Sequence, residues 1–78
     1  MAEENNTVSW TGYVEKFEYT NSLVIYHGRA KPGTATSSAG WQIRKFTYSG
    51  SLVTDIKYAS GDARFNKTWD DRSSYTYS

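Results

Sequence analysis

Apolar and polar positions alternate with a period of two along much of this chain, the spacing of a pleated strand. Between Val8 and Tyr19, Tyr13, Phe17 and Tyr19 share one parity, while Val8, Trp10 and Val14 share the other. That segment predicts a first strand, and apolar residues on both parities predict that it is covered, or at least contacted, on both of its faces. Glu15 and Lys16 place one end of it in solvent. Thr20-Asn21-Ser22 then carries turn chemistry between two apolar runs, so a hairpin follows. Leu23-Val24-Ile25-Tyr26 is a continuous apolar run, too short for a helix and suited to a buried strand. Gly28 either ends that strand or permits a bulge or a close backbone approach.

The stretch Lys31 to Gly40 opens on Pro32-Gly33 and contains only small residues after it, which predicts a long loop starting in a type II turn. A second hairpin is expected from Trp41 to Tyr58. On its arms Trp41 and Ile43 alternate with Gln42 and Arg44, and Ile56 and Tyr58 alternate with Asp55 and Lys57. Ser49-Gly50-Ser51 lies between them as the turn. Beyond the Ser60-Gly61-Asp62 turn, two readings stand side by side. Asp62 could cap a short helical turn near residues 63–71 that carries Phe65, Thr68 and Trp69 on one face. Alternatively the segment is an irregular loop with Phe65 and Trp69 tucked inward. Tyr75-Thr76-Tyr77 alternates again and predicts a terminal strand.

The expected fold class is therefore all-β: a small antiparallel five-stranded barrel or a compact two-layer β fold. Residues 1–7 read as a flexible tail and residues 8–78 as a single β domain. The start, Met1-Ala2-Glu3-Glu4-Asn5-Asn6, is acidic and polar rather than a signal peptide. Leu23 to Tyr26, the longest apolar run, is far short of a bilayer span.

Composition sharpens this picture in two ways. A chain of 78 residues without cysteine has neither disulfides nor thiolate metal sites to support a small core, so association is the remaining source of buried area. It also carries three Trp, seven Tyr and three Phe, rings that suit half-exposed strands and interfaces as well as cores. Trp10, Tyr13, Trp41, Trp69, Tyr75 and Tyr77 are expected to divide between core and interface or ligand contact. Arg72 is the candidate for a bidentate anchor to a carboxylate, within the chain or across an interface.

A net charge of +1 with interspersed signs lacks the footprint of a nucleic-acid-binding domain. Asp70-Asp71-Arg72 is the densest charge cluster, and an arginine held by its neighbouring aspartates is expected there rather than a cation site. His27, the lone histidine, is expected at an edge, bonded to backbone or solvent. No serine stands in a nucleophile-elbow context, and Gly28, Gly33 and Gly40 are too far apart for a phosphate loop. The expectation is no catalytic residue, no metal, no cofactor and no enzymatic activity.

The string Tyr26-x-Gly28-x-Ala30-x-Pro32-Gly33-x-x-x-Ser37, followed by Trp41-x-Ile43-Arg44-Lys45, resembles a family of small uncharacterised proteins encoded by tailed bacteriophages. The resemblance continues through Thr47-Tyr48-Ser49-Gly50, Ala59-Ser60-Gly61-Asp62, Phe65 and Trp69-Asp70-Asp71-Arg72 to Tyr75-Thr76-Tyr77-Ser78. It leaves out the N-terminal strand and carries no catalytic residues. What it implies is a virion component made in the host cytoplasm: head decoration, neck or tail adaptor, or tail or fibre component. Such a protein would act by self-association and by docking to other virion proteins. The alternative expectation is a ligand-binding module whose open aromatic sheet face takes carbohydrate or single-stranded nucleic acid. Neither expectation involves a membrane.

Overall fold

In a computed structural model, residues 12–78 are described. Four antiparallel strands follow one another in chain order: β1 (Val14–Thr20), β2 (Leu23–Ala30), β3 (Ala39–Ser49) and β4 (Leu52–Tyr58). A two-residue strand, β5 (Lys67–Thr68), pairs with the start of β3, and a 3₁₀ helix spans Trp69–Ser74. Sequential strands joined by short turns can pair only as antiparallel neighbours, so this order follows from the connections.

The β1–β2 turn places Asn21 and Ser22 both at positive φ, 52° and 69°, the signature of a type I′ hairpin turn. At the predicted type II turn, Gly33 has φ +87° and the Thr34 N–H donates to the Lys31 carbonyl at 3.1 Å. Both hairpins carry a bulge. Pairing shifts by one residue between Glu18 and Tyr19 in the first, and between Thr47 and Tyr48 in the second.

One sheet face holds the core. Ala30, Trp41, Ile43, Ala59 and Trp69 are buried, with Tyr26, Tyr75 and Tyr77 packed against them. Trp69 is delivered by the C-terminal segment, which lies across this face. Gly28 makes the approach possible: a Cβ there would sit 2.5 Å from the Trp69 ring. Each large side chain buried in this way contributes about 1.5–3 kcal/mol, and few are available.

Several expectations need correction. The sheet does not close into a barrel; among the described residues β1 and β4 remain its edges. β1 is not covered on both sides, since Phe17 is 49% and Tyr19 58% exposed. Of the readings of Gly28 the close approach holds and the strand end does not: β2 runs on to Ala30, and the glycine lies under Trp69. No helix starts at Asp62. Its carboxylate instead receives the backbone N–H and guanidinium of Arg64, together with Asn66 and Lys67, so residues 63–66 form a tied-down loop. Helical structure begins only at Trp69. The fifth strand is Lys67–Thr68 rather than the terminal one, and Tyr77 forms a single bridge with Ala59. The expected tail and residues 8–11 of the expected first strand lie outside the described residues.

Candidate functional site

The sheet face opposite the core is where chemistry and exposure meet. Residues directly opposite one another on paired strands share a face. Register therefore sets Phe17 of β1, His27 of β2, Arg44 of β3 and Tyr58 of β4 in one row across the whole sheet. Phe46 and Ile56 pair in the next row of β3 and β4, and Glu15, Arg29 and Gln42 form the row on the other side.

His27 anchors this face. It is 3% exposed, and both ring nitrogens are engaged. Nε2 lies 2.6 Å from Glu15 Oε1, and Arg44 reaches Nδ1 with Nε at 3.3 Å and Nη2 at 3.0 Å. A guanidinium only donates, so Nδ1 must accept, and the proton of the neutral ring sits on Nε2 and points at Glu15. Burial, opposed by the Glu15 hydrogen bond but reinforced by the Arg44 charge, holds the imidazole below its ordinary value. The same hydrogen bond from His27 leads the causes that hold the Glu15 carboxyl below its own. Glu15, His27 and Arg44 thus link three strands in one polar chain.

Around that chain the surface is apolar and open. Phe17 packs on the His27 ring with centroids 4.8 Å apart, and Tyr19 follows at 6.3 Å from Phe17. Ile56 is 45% exposed, and the Arg44 guanidinium lies 5.5 Å from the Phe46 ring. At one end, the loop after β4 reaches this side: Gln42 Nε2 donates to the Ala63 carbonyl at 2.6 Å. There Phe65 stacks on Tyr13 at 5.2 Å. No cavity opens on this face among the described residues.

The residues singled out in the sequence separate clearly. Trp41 and Trp69 are core, 5.9 Å apart between ring centroids, and the Trp41 indole N–H donates to the Ala35 carbonyl at 3.0 Å. Tyr75 and Tyr77 are half-buried beside them, and both hydroxyls are used within the C-terminal segment. Tyr75 accepts from the Thr68 N–H at 2.8 Å, and Tyr77 donates to the Arg72 carbonyl at 2.7 Å. Burial drives the Tyr77 phenol upward from its ordinary value. Tyr13 is exposed on the open side. Trp10 lies outside the described residues.

Arg72 does anchor a carboxylate within the chain, but through one nitrogen and not to its neighbouring aspartates. Its Nε donates to Glu18 Oε1 at 2.6 Å while its guanidinium covers the Trp69 ring at 4.7 Å. The 3₁₀ helix turns Asp70 and Asp71 outward, so the neighbours in sequence are not the partners in space. The expectation for His27 is also overturned: it is buried and bonded to side chains, not at an edge with backbone or water. Glu15 and Arg44, which make it so, carry no signal in the sequence as a set, because the bulge in the first hairpin and the offset between β2 and β3 decide which residues face His27.

Among the described residues no three histidine, cysteine, aspartate or glutamate side chains gather as a metal site. No helix among them is long and apolar enough to cross a membrane. Compared with protein-family models, curated proteins and solved structures, the chain finds no match in any of the three.

Proposed function

We propose that this chain is a small, non-catalytic assembly module that works by self-association through its open sheet face. The observation that carries the reading is the grouping of Phe17, Tyr19 and Ile56 on one side of the sheet, exposed around a hydrogen-bonded chain of zero net charge, with the Glu15 carboxylate and the Arg44 guanidinium on either side of the neutral His27 ring. Apolar side chains left in water gain by being covered, and each charge of the Glu15–His27–Arg44 chain keeps a hydrogen-bond partner when they are. A second copy meets the requirement with little repulsion, since each chain carries a net charge of only +1. His27 has no free nitrogen to accept a substrate proton, which favours a structural over a catalytic role.

The resemblance to small tailed-phage proteins extends this reading to a virion component that docks beside other structural proteins. Two experiments test the two levels. Sedimentation equilibrium of the full chain should show concentration-dependent association that Tyr19→Glu combined with Ile56→Glu abolishes, with circular dichroism unchanged. A monomer throughout the micromolar to millimolar range contradicts self-association. Mass spectrometry of purified particles from the phage that encodes it should find the chain, and its absence there contradicts the virion role.

The exposed Phe17 and Tyr19 rings favour one second reading, stacking against a carbohydrate. Oligosaccharide titration followed on those ring resonances separates it: shifts at millimolar ligand support it, and none ends it.

A further inference from the structure

We infer that His27 is an acid-sensitive control on the open sheet face: a proton on its Nδ1 expels Arg44 and adds a positive charge where a second copy must dock. The inference rests on the self-association reading and adds its regulation.

The geometry permits one protonation state only. Arg44 presents two N–H groups to Nδ1, at 3.0 and 3.3 Å, and neither can accept. A second proton on the ring would face those donors directly. Glu15 would keep its bond to Nε2 and gain an ionic partner, so the ring stays in place and Arg44 is the group that leaves. The charged and titratable groups around the ring fit this outcome. From β1 come Glu15 and the apolar Phe17; from β3 comes Arg44, itself opposite Tyr58 of β4; from β2 comes Arg29, whose Nη2 is 3.9 Å from Glu15 Oε2. One carboxylate therefore serves the imidazole and Arg29, and among the described residues none remains for a displaced Arg44 guanidinium beside the ring.

Displacement also reaches the apolar surface. Arg44 leans over Phe46, which pairs with Ile56, so releasing the guanidinium disturbs the patch that a second copy covers. Protonation thus changes both terms that favour association, the zero net charge of the polar chain and continuous apolar contact. Histidine titrates in the mildly acidic range where other side chains ordinarily do not, and burial moves this one lower still. The aspartates and glutamates stay ionised at about pH 5, since their ordinary values lie near 4.

The test uses the full chain at about pH 7.5 and about pH 5, either side of the ordinary histidine range, with two readouts. As His27 is the single histidine, its ring signals are unambiguous by NMR. They should show the proton on Nε2 at the higher pH and a titration midpoint below the ordinary 6.5, rising in Arg44→Gln. Sedimentation should show association weakened by roughly tenfold or more at the lower pH, with the difference lost in His27→Gln. Should that variant fail to fold, the wild-type midpoint and its response to Arg44→Gln still decide the matter. A proton on Nδ1, or a midpoint unmoved by Arg44→Gln, overturns the mechanism. Association equally strong at both pH values overturns the control and leaves self-association standing. Absence of association at either pH overturns both.

Discussion

Gly28 and His27 are consecutive in β2, and they serve opposite faces of the sheet. Gly28 has no side chain because Trp69 occupies its place; an alanine would put a carbon 2.5 Å from that ring. The Arg72 guanidinium and the Trp41 ring also lie against that ring, so it has little room to yield. Gly28→Ala should therefore destabilise the chain by about 1–3 kcal/mol, the usual effect of overpacking, read from its urea midpoint. His27 makes stability depend on pH. Its native value is lowered, so the folded chain resists the proton that the unfolded chain takes up below about pH 6.5. The stabilisation is whole above that point and is lost as pH falls toward the native value, by at most about 1.4 kcal/mol per pH unit. Glu15, also lowered, adds a second loss that begins below about pH 4.5. The urea midpoint should fall between about pH 7.5 and about pH 5.5, and His27→Gln should flatten that fall.

At the level of elements, the strands and turns are legible in the sequence and the offsets between them are not. Alternation and turn chemistry predict both hairpins, the type II turn at Pro32-Gly33 and the loop after it, which ends two residues earlier than expected because Ala39 and Gly40 already belong to β3. What they miss is where one residue bulges. The turn pairs Thr20 with Leu23 and Tyr19 with Val24; continued without a bulge, this register would set Lys16 opposite His27. Ile25 of β2 is the extra residue, and the shift sets Phe17 there instead, with Glu15 on the same face. A slip of one residue exchanges the two faces of a strand, so the polar chain at the centre of the open face is invisible to periodicity. The C-terminal segment departs from expectation for a different reason. Asp62 has the chemistry of a helix cap, but Arg64, Asn66 and Lys67 compete for the same carboxylate. The first turn also offers a direct check on local chemistry. Ser22 holds φ 69°, a conformation that glycine adopts without strain. Ser22→Gly should raise stability by about 0.5–1 kcal/mol, measured as the shift in urea midpoint.

For the whole molecule, the distribution of aromatic residues is the organising fact. Trp41, Trp69, Tyr75 and Tyr77 fill the covered face, and the polar ends of Trp41, Tyr75 and Tyr77 are bonded inside the chain. Phe17, Tyr19 and Ile56 stay in water on the other. The sequence implies that the rings divide between core and interface, yet most of those it singles out belong to the core. Phe17, Tyr19 and Ile56 do not stand out there, because a half-exposed strand residue looks the same in sequence whether its face is covered or open. A sheet with a core on one face only resembles half of a sandwich, in which two sheets stack about 10 Å apart. That resemblance is why a second copy is the expected cover.

The most direct test is a search for intermolecular NOEs in a mixture of isotope-labelled and unlabelled chains near neutral pH, at a concentration where association is populated. Contacts from the partner copy to Phe17, Tyr19 and Ile56 are the predicted result. Intermolecular contacts confined to Val14 and Lys16, which β1 turns to the core side of the sheet, or none at all, would contradict assembly through the open face.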